Sequence, residues 1–159
     1  MKFASRILSL LVLTALASLY IGCGPDNDPE LSDKDKQIQL LNGTWNTTAF
    51  TLDGNTPTDL DYGDFQVILT GETGDEQMGF EVANRPPGKP SPWPASGTMA
   101  FGANVKQNLI RKDPNNVDVS IVYSVTETTL VMDFTFSTAP YNARVGNVTG
   151  NWHFEFTKQ

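Results

Sequence analysis

Few side chains in this chain could do chemistry, and they do not sit together. There is one histidine and one cysteine, so there is almost no material for an imidazole or thiolate metal centre. His153 is the one conventional acid–base group, and Glu155 shares its strand face two residues on. The opposite face carries Trp152 and Phe154, so the pair points to solvent, where an ordinary wet strand face looks the same. Asp59, Asp61 and Asp64 form D-x-D-x-x-D. Calcium needs several oxygen ligands, but this spacing has neither the glycine nor the closing glutamate of an EF-hand loop, so it reads as a solvated acidic loop. Residues 84–94, NRPPGKPSPWP, hold five prolines and cannot pair as a central strand. Trp93 lies between two of them on a stiff backbone, as a lid, a stacking platform for sugar, or a cover over core edges. The chain shows no nucleophile–base pair and no phosphate-cradling loop. No catalytic residue, metal site or cofactor is assigned, and the expectation is a protein that is not an enzyme.

The elements that would position these groups are strands. The chain has 159 residues, 13 of them glycine and 10 proline, which favours many turns over long helices. Ser32-Asp33-Lys34-Asp35 fits a helix capping box. Ile38 and Leu41 then share one helical face, and Asn42-Gly43 stops the helix. From Gly43 the hydrophobic period becomes two, and strands are expected over 44–52, 65–70, 78–83, 97–102, 106–111, 117–126, 129–137 and 148–157. Gly71 to Asp75 and Asp113 to Asn116 read as hairpin loops, and Val125 to Leu130 needs only a tight turn. Short connections leave no room for helical crossovers, so the sheet is antiparallel, closed as a barrel or stacked as a sandwich. One face per strand gives an inward set that includes Phe65, Phe80, Phe101, Tyr123, Phe134, Trp152 and Phe154. Gly43-Thr44-Trp45, Gly97-Thr98-Met99 and Gly150-Asn151-Trp152 recur as similar strand openings, not as a true repeat.

The first residues read as an address. Lys2 and Arg6 precede a largely apolar run over 7–19. Thirteen helical residues span about 20 Å, short of the ~30 Å hydrocarbon core, so residues 1–22 form a secretory signal. Gly22-Cys23 at its end resembles the lipobox of bacterial lipoproteins, with Tyr20 where that family usually has Leu. The resemblance implies cleavage before Cys23, a diacylglycerol on its thiol and a further acyl chain such as palmitate on its amine. Two or three chains anchor stably. With one cysteine no disulfide forms within the chain. Residues 23–31, rich in Asp, Glu and Pro, form a lipidated acidic tether. Asp26, Asp28 and Glu30 loosely resemble the export signal that carries some lipoproteins to the outer face of the outer membrane. Asn42, Asn46 and Asn147 open N-x-T matches, which carry no weight behind a bacterial lipobox. The net charge of −7 argues against nucleic acid as a partner.

Residues 32–159 form the remaining domain. Leu41-Asn42-Gly43-Thr44-Trp45, a short helix running into a G-x-W strand, resembles the opening of the lipocalins. The Asp53-Gly54 turn, the Trp93 segment, the long hairpin over 117–137 and the closing V-x-G-x-W-x-F from Val148 to Phe154 extend the likeness to lipocalin-like outer-surface lipoproteins. The resemblance implies an all-β, antiparallel eight-stranded calycin-type barrel behind a short helix. It also implies that Trp45 plugs one end under a cation, for which Arg144 and Lys158 are available, with Trp152 as a second structural tryptophan; the two rings would lie near one another if their strands pair. Two readings of function then compete. In one the barrel holds a small apolar or amphipathic ligand, walled by Phe80, Phe101, Tyr123 and Phe134 with Trp93 as lid. In the other the core is solid and the protein meets proteins or glycans through its loops. A monomer, anchored in the outer membrane on its periplasmic or cell-surface face, is expected in both.

Overall fold

The computed structural model describes residues 30–113, 117–137 and 148–159. The signal segment, Cys23, most of the tether, the turn at 114–116, Arg144 and Asn147 lie outside the described residues. A nine-residue helix, α1 (Asp33–Leu41), precedes eight strands: β1 (Gly43–Leu52), β2 (Gln66–Thr70), β3 (Gln77–Ala83), β4 (Ser96–Phe101), β5 (Asn108–Asp113), β6 (Val117–Val125), β7 (Thr129–Phe136) and β8 (Gly150–Lys158). Each strand pairs antiparallel with the next, and β8 returns to β1, closing the barrel. Closure removes both sheet edges.

The capping box forms as the sequence predicts. The Ser32 side chain accepts from the Asp35 amide at 3.1 Å. The Ser32 hydroxyl and the Gly74 amide hold the Asp35 carboxyl below its ordinary range. Ile38 and Leu41 face the barrel and are buried. Asn42 donates to the Gly71 carbonyl at 2.6 Å and accepts from its amide at 2.7 Å, which fastens the helix to the β2–β3 turn.

Inward residues alternate along the strands as the period of two requires. In β1 the parity changes midway: Trp45 and Thr47 are buried, whereas Phe50 stacks on buried Phe154. A register shift between Thr47 and Ala49 against β8 is the cause, because a bulge adds one residue to one strand and moves every later side chain to the other face.

Gly43 and Gly150 explain two of the three recurring openings. Both have φ in the region that favours glycine, +132° and +144°. Each lies two residues before a tryptophan whose indole N–H reaches back four residues: Trp45 to the Leu41 carbonyl at 2.7 Å, Trp152 to the Val148 carbonyl at 2.8 Å. The same local device is thus used twice, and β8 starts at Gly150 instead of Val148 because Val148 serves as acceptor. The two rings do not meet. Trp45 pairs with Lys158 and Leu52 pairs with Trp152, which sets the tryptophans at opposite ends of the β1–β8 pair, about 20 Å apart along β8.

Candidate functional site

The barrel interior comes first, because an apolar ligand would have to fit there. At the end away from α1, Trp93 is 1% exposed and contacts Phe65, Phe80, Phe134 and Phe154 at centroid separations of 5.4–6.1 Å. Tyr62, from the segment between β1 and β2, adds edge contacts to Phe65, Trp152 and Phe154. Trp93 is therefore neither a lid with an open face nor a solvent-facing stacking platform. It is a plug, and its loop is tied in place. Arg85 and Arg111 donate to the carbonyls of Trp93 and Pro92, and the Ser91 hydroxyl accepts from the Trp93 amide and the Tyr62 hydroxyl. Burial pushes the Tyr62 hydroxyl up to about 12, so it remains a donor at neutral pH.

The expected wall residues divide. Phe80, Trp93 and Phe134 converge and fill the space between them. Tyr123 lies toward the helix end, where its hydroxyl donates to the Val105 carbonyl and lies 3.0 Å from the Gln37 side-chain amide. Phe101, at the end of β4, is only half-buried. An eight-stranded barrel is just wide enough to be filled by its own side chains, and at the Trp93 end the contacting rings of Phe65, Phe80, Trp93, Phe134 and Phe154 occupy it.

One interior feature escapes the hydrophobic pattern. β5 runs two residues later than expected, and Leu109, Arg111 and Asp113 all point inward. The Arg111 guanidinium is fully buried and clasps Asp113 with two bonds of 2.5 and 2.8 Å. It also lies 4.7 Å from the Trp93 ring and 5.2 Å from Phe134. The pairing explains how a charge survives there, since a buried ion needs a partner and hydrogen bonds. Two donors stay unsatisfied among the described residues, Arg111 Nη1 and Trp93 Nε1. The alternation Leu109-x-Arg111-x-Asp113 was the available signal, but an arginine at an inward position contradicts the usual hydrophobic rule.

On the outer wall His153 gains a partner that sequence reading missed. β7 sets Asp133 opposite it, and Nδ1 lies 2.7 Å from the Asp133 carboxylate while Nε2 lies 3.2 Å from Glu155. Asp133, and secondarily Glu155, raise the imidazole above its ordinary value of 6.5 against a partial desolvation penalty. Both ring nitrogens lie within reach of a carboxylate, an arrangement that favours the protonated imidazole.

The outer surface also carries an open polar cleft of about 630 Å³ lined by Asn46 of β1, Gln66 of β2, Asp61, Gly63 and Asp64 before β2, and Asn84, Arg85 and Pro87 after β3. Gln66 donates to Asn46 at 2.8 Å. Asn84 has φ +55°, uncommon for any residue but glycine, and its amide donates to the Asp64 carbonyl at 2.9 Å. Asp61 caps the Gly63 amide at 2.9 Å, so it serves its own turn. Among the described residues no three carboxylate, imidazole or thiol groups converge as metal ligands, and no helix is long and apolar enough to cross a membrane. No family model matches the chain, and no curated protein matches it in sequence.

Proposed function

We propose that this chain is a bacterial lipoprotein, anchored through Cys23 in the outer membrane, whose lipocalin-like barrel is a solid-cored module that meets its partners through its outer surface. The observation that carries this reading is the filled interior. Trp93 occupies the position an apolar ligand would need, and the buried Arg111 and Asp113 lie beside it. Admitting a ligand would require drawing Trp93 out and exposing a buried ion pair, which opposes binding. The helix, the G-x-W opening, the closed barrel and Lys158 Nζ 5.0 Å from the Trp45 ring support the lipocalin-like part of the reading. Gly22-Cys23 after the apolar run supports the anchor. The module acts as a monomer, without a cofactor, on neither nucleic acid nor a reacting substrate.

Two measurements test it. Triton partition of the wild type should place the protein in the detergent phase, and Cys23→Ser should move it to the aqueous phase; a mutant that stays with detergent overturns the anchor. A thermal-shift screen of fatty acids, sterols and haem-like pigments should leave the melting temperature unchanged. A saturable rise with any of them, which linkage requires of a ligand of the native state, overturns the solid core.

A further inference from the structure

Among the described residues the outer surface carries a polar cleft with the features of a binding site, and its chemistry selects a ligand class. The cleft between the segment before β2 and the segment after β3 presents Asn46, Asp64, Gln66, Asn84 and Arg85. Their internal bonds orient them without exhausting them. The Gln66–Asn46 amide pair uses one donor and one acceptor; whichever way the two amides are turned, one of each remains outward. Asn84 spends a donor on the Asp64 carbonyl and keeps its amide oxygen. The Asp64 carboxylate has no partner among the described residues, and Arg85 spends one nitrogen on the Trp93 carbonyl and keeps the rest of its fork. Free donors and free acceptors are thus interleaved on a wall held by two paired strands and by a loop with a strained Asn84.

Such a surface excludes most classes of ligand. Its lining has no aromatic ring and only Pro87 as a large apolar face, so an apolar molecule gains little. Asp61 and Asp64 outnumber Arg85, so a polyanion is repelled. A vicinal diol matches, because each hydroxyl both donates and accepts, and adjacent hydroxyls span a carboxamide or carboxylate. Asn84, Arg85 and Pro87 also line a second open cleft of about 620 Å³, formed with the rest of the 84–91 loop. Two clefts joined by three shared residues suit a chain longer than one sugar. We propose that this cleft binds a neutral oligosaccharide, with Asp64, Gln66 and Asn84 taking its hydroxyls. The proposal rests on the outer-surface reading above and deepens it.

The test uses the full-length chain in a detergent with no sugar headgroup. Neutral hexasaccharides of glucose, xylose, mannose and galactose are titrated by calorimetry, beside oligogalacturonate and a proline-rich peptide. At least one neutral hexasaccharide should bind, and Asp64→Asn and Gln66→Ala should each weaken it by about tenfold, the loss expected for a hydrogen bond made to or by an oriented polar group. Val122→Ala, at an exposed site on β6, should bind as wild type, and Val122→Ala and Asp64→Asn should melt as wild type. The proposal is overturned if no neutral hexasaccharide binds, if only the peptide or the charged oligomer binds, or if binding survives both cleft substitutions. Those failures leave the outer-surface reading standing. That reading falls instead to a saturable thermal shift with an apolar ligand.

Discussion

At the helix end of the barrel Trp45 lies under Lys158, and at the opposite end Trp93 lies under Arg111. The two closures look alike and are built differently. Trp45 sits in a strand, its N–H bonded to the helix that precedes it, and Lys158 keeps contact with water while donating to the Leu40 carbonyl at 2.8 Å. Trp93 comes from a loop, its N–H has no acceptor among the described residues, and its cation is fully buried and bound to Asp113. One end is closed by local structure that the chain makes as it turns from helix to strand. The other is closed by a long-range insertion that depends on a buried ion pair. The contrast teaches that the second end is the costlier assembly. It carries unsatisfied donors at about 1–3 kcal/mol each and offsets them with ring contacts and the guanidinium–ring attraction.

The strongest way to break the contrast is at Asp113. Asp113→Ala leaves Arg111 buried and unpaired, and urea unfolding should show a loss of about 3–5 kcal/mol, much of it recovered in Arg111→Met/Asp113→Val. A double variant no better than the single one would mean that the pair does more than neutralise itself. Next come the tryptophans. Trp45→Ala should cost roughly 3–5 kcal/mol as a core truncation; equal melting to wild type would show the helix-end plug to be dispensable. Trp→Phe sharpens the comparison, since it removes the same atoms at both ends. Trp45→Phe also strips the Leu41 carbonyl of its donor, whereas Trp93→Phe removes a donor that has no acceptor, so denaturation should find the first variant less stable by about 1 kcal/mol.

Lys158→Met removes a half-buried cation and should cost about 0.5–1 kcal/mol, well below the loss in Asp113→Ala. The smallest effect belongs to the outer wall. With the folded pKa of His153 raised above 6.5, its contribution to stability is fully present below pH 6.5 and is lost as pH rises through the folded value. The group is about one-third exposed, so solvent screening keeps the effect on melting slight. An NMR titration should place the imidazole above 6.5 and move it back toward that value in Asp133→Asn.

Much of the fold was legible in the residues. All eight strands begin within two residues of their expected starts, β5 being displaced as a whole by two, and α1 ends at the expected Asn42-Gly43. The reason is that turns and alternation are local. The β1 bulge was not legible, since nothing in Thr47 to Ala49 marks an extra residue until β8 lies alongside. The candidate cleft was barely legible. Asp61 and Asp64 stood out as acids, but Asn46, Gln66 and Asn84 are ordinary outward polar residues of three separate segments, and strand registration alone makes them neighbours.

By itself the amino-acid order determined the helix with its capping box, the number and direction of the strands, and the tryptophans that the glycine openings deliver at Trp45 and Trp152. These depend on contacts within a few residues and on a period that one strand carries alone. Only the tertiary structure decided that Trp93 turns inward, that Arg111 and Asp113 are buried together, and that Asp133 meets His153. Each of those outcomes is a competition for a fixed interior volume, or a pairing across strands, between residues as far apart in the chain as Trp93 and Phe154. A barrel must close before that volume and those neighbours exist.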